Sequence, residues 1–404
     1  MDRPPIEVAD IVRSVGKSFV ENNRDWITGQ HLKVLRAIER CRTADLGYHL
    51  DECTNTECGY SGYSYNSCLN RHCPKCQANA RRRWIDGRKK ELLPVPYAHV
   101  VFTVPTLLAQ LALQNKKLIY TMLLRLSAET LIEVARNPER LGAEIGFFSV
   151  LHTWTQQLKH HPHVHCVVPA GGLSFDHRRW VPADPRYRFF LPKWVLRKVF
   201  RGKVVDALEK AFAEGKIGFY GKLKHLSDPK TFHSFIHDLH RNNWVVHCKR
   251  PFGGPEQVLK YLGRYTHRVA ISNHRLISFE NGEVTFTWRD RAHGSVQKEM
   301  KLPVEKFLRR FLLHLLPKGF VRIRNFGFLA SRHRNRLLPL CFKCLGSDPE
   351  ALTNEAQPDD TNNLCKCPKC GAPMIVVLRV YAPKWRPRPP PVPPVSEPES
   401  KSQL

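Results

Sequence analysis

The segment HPHVHCVVPAGG, residues 161–172, carries two histidines separated by one residue, His163 and His165. In an extended strand, residues two apart point to the same face, so both imidazoles would lie on one face and Val164 on the other. Two neutral imidazoles with coordination positions left open suit a catalytic divalent cation, Mg²⁺ or Mn²⁺, that must also touch a phosphate oxygen. By itself this pattern is a weak indication, because two histidines in a strand can equally be packed and hydrogen-bonded.

A third ligand for this ion is expected from the preceding segment, FSVLHTWTQQ, residues 148–157. Its β-branched and aromatic content is typical of a strand, which would turn back at about residues 159–162 and lie beside the histidine strand. Such a hairpin predicts Gln156 as the third ligand, with His152 as the alternative.

Two tyrosines four residues apart, Tyr261 and Tyr265, follow in GGPEQVLKYLGRYTHRVAIS, residues 253–272. Pro255 favours the first turn of a helix, on which residues i and i+4 share a face. A tyrosine is a poor nucleophile at its usual pKa of about 10 and needs a metal that polarises the phosphodiester. The same spacing also fits the apolar stripe of an ordinary core helix, so the tyrosines become catalytic candidates only together with the histidine pair.

The chain has thirteen cysteines, whose clustering indicates metal binding in a reducing compartment more than disulfides. The first cluster is CTNTECGYSGYSYNSCLNRHCPKC, residues 53–76. Two short pairs of thiolates can each place two sulfurs on one tetrahedral zinc ion. The predicted zinc ligands are Cys53, Cys58, Cys73 and Cys76, with Cys68, His72 and Cys41 as spare candidates.

A second cysteine cluster begins with CFKC at residues 341–344 and ends with CKCPKCG at residues 365–371. The stretch Cys-Pro-Lys-Cys-Gly has the form of a zinc knuckle. Four thiolates leave no position open for substrate, so both zinc ions, about two per chain, are expected to support folding. The predicted ligands of the second zinc are Cys341, Cys344, Cys367 and Cys370, and Cys365 is left over.

Between these clusters the predicted strands and helices do not alternate strictly, which favours an α+β fold with a mainly antiparallel sheet. Asn281 and Gly282 form a strong hairpin signal between the last two strands. The predicted strands cover residues 99–104, 148–155, 163–169, 244–249, 275–279 and 283–288. The predicted helices cover residues 106–137, 193–214, 229–242 and 255–266.

Composition divides the chain into four predicted segments. Residues 1–95 would form a helical arm and zinc-binding domain, and residues 96–337 the catalytic domain. Residues 338–380 would form a small zinc ribbon. Residues 381–404 are rich in proline, so we expect an extended and disordered tail.

The charge of the chain indicates a nucleic acid partner: 64 Lys and Arg face 36 Asp and Glu, for a formal charge of +28. The most apolar stretch, residues 92–113, is interrupted by prolines and cannot cross a membrane. No secretory signal opens the chain, so we expect a cytoplasmic, nucleoid-associated protein without a membrane partner. The candidate DNA-binding residues are Arg81, Arg82, Arg83, Lys89, Lys90, Arg264 and Arg268.

Together these motifs resemble a known family. The unit His163-Val-His165 is similar to the His-hydrophobic-His signature of the HUH endonuclease superfamily, and YLGRYTHRVAIS, residues 261–272, resembles the paired-tyrosine helix of its two-tyrosine transposases. SYNSCLNRHCPKCQ, residues 64–77, resembles their N-terminal zinc domain. HTWTQQLKHHPHVHCVVPAGG and RIRNFGFLASRHR resemble further stretches of the insertion-sequence-ninety-one type. The resemblance spans about residues 25–375.

The resemblance implies an antiparallel HUH sheet flanked by helices and rolling-circle transposition on single-stranded DNA. One tyrosine would cut the strand and become 5′-phosphotyrosyl, leaving a free 3′ hydroxyl, and the second would handle the other end. A replication initiator or relaxase with the same chemistry is one alternative. A zinc-dependent DNA-binding regulator without catalytic activity is another, but it gives the histidines and tyrosines no joint purpose.

Overall fold

A computed structural model describes residues 4–76, 84–85, 87–184, 190–248, 257–258, 270–290, 293–348 and 366–381. The chain forms two compact units. Unit 1 comprises Met1–Cys41 and Cys68–Asp360, and unit 2 comprises Arg42–Ser67 and Thr361–Leu404. These units cut across the four segments predicted from composition, because a strand near the end of the chain pairs with one near its beginning.

Helices and strands are interleaved, and every strand pair that the structure describes is antiparallel. The α+β prediction with antiparallel sheets flanked by helices is therefore confirmed. The helices are α1 (Val8–Asn22), α2 (Gly29–Glu39), α3 (Thr106–Gln114), α4 (Lys116–Arg136), α5 (Lys193–Ala213), α6 (Pro229–Arg241), α7 (Val304–Leu313) and α8 (Ser331–Cys344). The strands are β1 (Gly47–Cys53), β2 (Ser61–Tyr65), β3 (Tyr97–Thr103), β4 (Gly146–Trp154), β5 (His160–Pro169), β6 (Gly171–Leu173), β7 (Trp180–Pro182), β8 (Val245–Cys248), β9 (Leu276–Glu280), β10 (Glu283–Asp290), β11 (Val296–Pro303), β12 (Ile323–Gly327) and β13 (Met374–Tyr381).

The central sheet of unit 1 has five strands in the order β12-β4-β5-β3-β8. Alternation along the strands buries Phe102, Leu151 and Val164 on one face, in a core shared with α3, α4 and α5. On the opposite face, Phe148 and Val150 pack in a smaller core with residues of α8. The remainder of that face is where the predicted metal ligands lie.

A second sheet of unit 1 has the order β9-β10-β11 and shares a core with α1, α2 and α7. Phe286 of β10 and Phe307 of α7 are fully buried there. Asn281 and Gly282 form the predicted tight turn between β9 and β10, with φ of 50° and 71°. Leu158, in the turn between β4 and β5, is buried in the same core.

Unit 2 contains a three-stranded sheet in the order β13-β1-β2. Its central strand, β1, pairs along its whole length with β13, with an irregularity between Leu50 and Asp51. This sheet therefore combines strands from near both ends of the sequence.

Most of the predicted elements are confirmed to within a few residues. The helix predicted over residues 106–137 is interrupted at Asn115, whose side-chain amide donates to the carbonyls of Leu111 (3.2 Å) and Gly218 (2.8 Å). The helix predicted over residues 255–266 lies outside the described residues, except that 257–258 are helical. The predicted tail also lies outside them, except for Tyr381, which ends β13. None of the helices in the described part of the chain has the length and apolar character needed to cross a bilayer.

Candidate metal centres

Three histidines converge on one face of the central sheet. His152, His163 and His165 each offer a ring nitrogen, and these three atoms lie within 4.8 Å of one another. The strand register explains the convergence, because His152 of β4 is directly opposite His163 of β5, and His165 follows two residues later on the same face. The ring centroids of His152 and His165 are 4.5 Å apart, and those of His163 and His165 are 4.9 Å apart.

Hydrogen bonds orient two of these rings. The Nδ1 atom of His163 lies 2.8 Å from the carbonyl oxygen of His161, and a carbonyl can only accept, so Nδ1 carries the proton. The Nδ1 atom of His165 lies 2.8 Å from Nε2 of buried His99, and the two rings are parallel within 2°. Engaging Nδ1 in this way presents Nε2 as the metal-binding atom. Sequence reasoning missed His99, which lies on a different strand.

The third member of the histidine cluster is His152. Gln156 lies beyond the end of β4, in the turn that leads to β5, where its backbone carbonyl accepts a hydrogen bond from Arg275. His152 is still within the paired region and is held opposite His163 by the ladder. Because β4 ends at Trp154, Gln156 lies outside the strand pairing that aligns His152 with His163, and we therefore propose His152, the alternative in the sequence-based prediction, as the third ligand.

The first cysteine cluster, in unit 1, consists of Cys41, Cys68, Cys73 and Cys76, whose sulfur atoms lie within 4.8 Å of one another. The sulfur of Cys76 is 3.3 Å from that of Cys41 and 3.5 Å from that of Cys68. The contact between Cys41 and Cys68 lowers the pKa of the Cys41 thiol and raises that of the Cys68 thiol, because two close thiols do not both ionise readily without a cation between them. The structure thus groups Cys73 and Cys76 with Cys41 and Cys68, the spare candidates from the sequence, and not with Cys53 and Cys58.

The second cysteine cluster, in unit 2, consists of Cys53, Cys58, Cys367 and Cys370. The sulfurs of Cys53 and Cys370 are 3.4 Å apart, and those of Cys58 and Cys367 are 3.7 Å apart. The register of the sheet brings the pairs together, since Cys53 ends β1 directly opposite Met374, the first residue of β13.

Cys341 and Cys344, predicted as ligands of the second zinc, lie in α8 of unit 1 and are not members of a metal-binding cluster among the described residues. Cys341 packs in the apolar core between the sheet and α8, and burial raises the pKa of its thiol to about 12. The predicted set of Cys341, Cys344, Cys367 and Cys370 is therefore not brought together among the described residues. Cys365 lies outside the described residues.

Comparisons with known proteins agree with these clusters. A family model described as "Putative transposase" matches residues 146–336, and one described as "Transposase zinc-binding domain" matches residues 11–104. The protein y4qJ of Sinorhizobium fredii, which carries the same description as the first model, is 46% identical over 390 residues, covering 94% of this chain and 97% of its own length. The transposase for insertion sequence element IS801 of Pseudomonas savastanoi pv. phaseolicola is 30% identical over 360 residues, covering 84% of this chain and 82% of its own length.

The chain belongs to the family of insertion-sequence transposases that includes the IS801 transposase. No solved structure matches it significantly. The first family model spans the histidine hairpin of the transposase, and the second spans the whole cysteine cluster of unit 1. The family match and the two clusters support structural zinc in this transposase.

Several predicted site residues of the transposase lie outside the described residues. Lys89 and Lys90 are described and exposed, with Lys89 in a short helical stretch and Lys90 directly after it. The residues outside the described part are Tyr261, Tyr265, Arg81, Arg82, Arg83, Arg264 and Arg268.

Proposed function

We propose that this transposase cuts and rejoins single-stranded DNA by a rolling-circle mechanism, in which a tyrosine forms a 5′-phosphotyrosyl bond beside a divalent cation. The observation that carries the proposal is the cluster of His152, His163 and His165. Three imidazoles leave coordination positions for phosphate oxygen and water, as a metal that acts on a phosphodiester requires. The two cysteine clusters differ in this respect, because four sulfurs complete a tetrahedral site.

Described residues before and after the proposed nucleophiles share cores with the histidine hairpin, which supports the proposal. Val258, three residues before Tyr261, is buried in a core with Phe148 and other residues of the histidine hairpin. Ala270, five residues after Tyr265, is buried in the core that includes the turn of that hairpin. The described residues on either side of the two tyrosines therefore pack in cores that also contain residues of the histidine hairpin.

In the proposed step, the phenol oxygen of Tyr261 or Tyr265 attacks the phosphorus and loses its proton to solvent. The bond between the phosphorus and the 3′ oxygen breaks, and that oxygen takes up a proton to leave as a 3′ hydroxyl. A divalent cation held by the histidines would withdraw charge from the phosphate and lower the cost of attack by a phenol. The second tyrosine would receive the other DNA end.

The donor set favours Mn²⁺ over Mg²⁺. Mg²⁺ prefers oxygen ligands and keeps most of its water. Mn²⁺ belongs to the first-row divalent metals, which also bind nitrogen ligands and whose affinity for such sites rises from Mn²⁺ to Cu²⁺. With three imidazoles and no carboxylate among the described members of the cluster, we expect tighter binding of Mn²⁺.

The charge of +28 supports a DNA partner, and the exposed Lys89 and Lys90 are candidates for phosphate contacts together with the arginines predicted from the sequence. Stacking on bases and contacts to the backbone would hold a single strand without help from the metal. Association with the nucleoid would follow from the same charge.

The proposal is tested with oligonucleotides that carry the end of the element and are labelled at either the 3′ or the 5′ end. We expect a covalent protein adduct only with the 3′ label and only with Mn²⁺ or Mg²⁺, because the tyrosine keeps the fragment that begins with the 5′ phosphate. The double variant Tyr261→Phe, Tyr265→Phe should form none. Tyr220→Phe, at an exposed tyrosine of unit 1, is the matched control. An adduct of undiminished yield in the double variant contradicts the assignment.

A further inference from the structure

The turn between β4 and β5 joins the strand of His152 to the strand of His163. It contains Leu158 in a left-handed conformation, with φ of 58°, and Leu158 is fully buried. A left-handed conformation costs a residue with a β-carbon roughly 1–2 kcal/mol, so the surroundings must hold it. Within the turn, the hydroxyl of Thr155 accepts hydrogen bonds from the backbone N–H of Gln157 (3.3 Å) and of Lys159 (3.2 Å).

Three side chains, from the segment before β9 and from the end of α7, make hydrogen bonds to three consecutive backbone carbonyls of this turn. Arg275, just before β9, donates to the carbonyl of Gln156 (2.5 Å). Arg310 of α7 donates to that of Gln157 (3.0 Å). His314, at the end of α7, lies 3.1 Å from that of Leu158 through Nε2.

The contact made by His314 fixes strand β4 as well as the turn. Burial lowers the pKa of His314 to about 3, so its ring is neutral and carries one proton. A carbonyl can only accept, so this proton is on Nε2, and Nδ1 is the acceptor for the hydroxyl of Thr153 at 3.4 Å. Thr153 directly follows His152, where the pairing of β4 with β5 becomes irregular.

We propose that Arg275, Arg310 and His314 are positioning residues that hold the register of the histidine hairpin and thereby the geometry of its metal centre. If β4 slipped by one residue against β5, the ligands on the shifted strand would turn to the opposite face of the sheet. The turn has no Gly or Asn at its left-handed position that would define it by itself. The inference rests on the proposed metal centre formed by His152, His163 and His165.

Arg275 is the central member of this set. Its Nε donates to the carbonyl of Thr287 in β10 (2.8 Å), and its guanidinium lies 5.5 Å from the ring centroid of Phe286. The same side chain therefore connects the β9–β10 hairpin to the turn of the metal hairpin. Lysine cannot reproduce this, because it lacks the planar fork that serves two acceptors at once.

The test compares the full chain with Arg275→Ala, Arg275→Lys and, as a matched control, Arg289→Ala, which removes an exposed arginine of β10. Hydrogen exchange of the Leu158 and Lys159 amides, measured without added Mn²⁺, reports on the turn. Titration with Mn²⁺ reports on the metal centre. We expect faster exchange and Mn²⁺ affinity weakened by roughly tenfold or more in both Arg275 variants, as for other groups that orient metal ligands. Added guanidinium should restore part of the affinity of Arg275→Ala, and Arg289→Ala should match the wild type.

Two results separate the inference from the proposed function. Wild-type exchange and wild-type Mn²⁺ affinity in the Arg275 variants would overturn the positioning role and leave the metal centre intact. Failure of the wild type itself to bind Mn²⁺ would overturn the metal centre and the positioning role with it. If Arg275→Ala does not fold, Arg310→Met, which removes the donor to the carbonyl of Gln157 and keeps an unbranched side chain, gives the same two measurements.

Discussion

Four histidines from three neighbouring strands lie on one face of the central sheet, and different constraints place them there. Alternation along β5 puts His163 and His165 on the same face. The pairing of β4 with β5 puts His152 opposite His163, and the pairing of β3 with β5 brings His99 beside His165. The positions of His152 and His99 therefore depend on strand pairing, which no short motif encodes.

Replacing a histidine of the cluster should separate cleavage from DNA binding. We expect His163→Ala and His165→Ala to abolish cleavage of the element's end, because the metal loses a ligand, while affinity for the single strand stays close to wild type. Cleavage gels and binding titrations on the same preparations measure this. Normal cleavage and normal metal titration in these variants would place the metal site elsewhere.

The choice of the third ligand has its own test. We expect His152→Ala to lose Mn²⁺ binding and cleavage as His163→Ala does, and Gln156→Ala to retain both, because the contact seen for Gln156 uses its backbone carbonyl. His99→Ala should weaken Mn²⁺ binding by roughly 10- to 100-fold, as for other partners that orient a ligand. If Gln156→Ala lost Mn²⁺ binding and cleavage and His152→Ala retained them, Gln156 would be the third ligand, as the sequence predicted.

At the level of elements, the strands explain why the cysteines are divided between the two clusters differently from the sequence-based assignment. In the sequence, the hairpin of β1 and β2 stands between Cys41 and Cys68. The two ends of this hairpin meet where the N–H of Arg42 donates to the carbonyl of Asn66 (3.1 Å). Residues that flank a closed hairpin come close together, although 27 positions separate them here, from 41 to 68. A search by short spacing finds Cys73 and Cys76 but misses this pair.

Zinc content tests the new grouping. We expect two zinc ions per chain in the wild type, one fewer in Cys73→Ser, and one fewer in Cys370→Ser, because each variant breaks a different four-sulfur set. Cys344→Ser is the matched control and should keep both ions, since Cys344 belongs to neither set. Elemental analysis of purified protein gives the counts. A loss of zinc in the Cys344 variant would favour the pairing predicted from sequence spacing.

At the level of the whole molecule, composition predicted the polyanionic partner, and the family match to transposases agrees with it. Composition did not predict the two units, because their boundary depends on the pairing of β1 with β13, whose opposed residues Gly47 and Tyr381 are 334 positions apart (381 minus 47). Such a pairing leaves no local signal, whereas helices and hairpins are encoded by short-range periodicity.

The stability of the transposase should decrease in mild acid because unit 1 buries neutral histidines. Burial lowers the pKa of His160 and of His314 to about 3, from an ordinary value of 6.5. Between these values the unfolded chain binds protons that the folded chain does not, so the free energy of unfolding falls as the pH drops below about 6.5, by about 1.4 kcal/mol per pH unit for each histidine. Above that range neither state is protonated at these sites and their effect on the slope disappears.

His160→Gln isolates this contribution. His160 lies 2.7 Å from the hydroxyl of Tyr120, and a glutamine can still accept that hydrogen bond without titrating. Urea unfolding of wild type and variant at pH 7.5 and 5.5 should show a smaller loss of stability in the variant, by up to about 1.4 kcal/mol per pH unit below 6.5. Both proteins keep the same cysteine clusters, so any effect of acid on zinc cancels in the comparison. Equal losses in the two proteins would mean that His160 is protonated in the folded chain, and that the acid sensitivity comes from other groups.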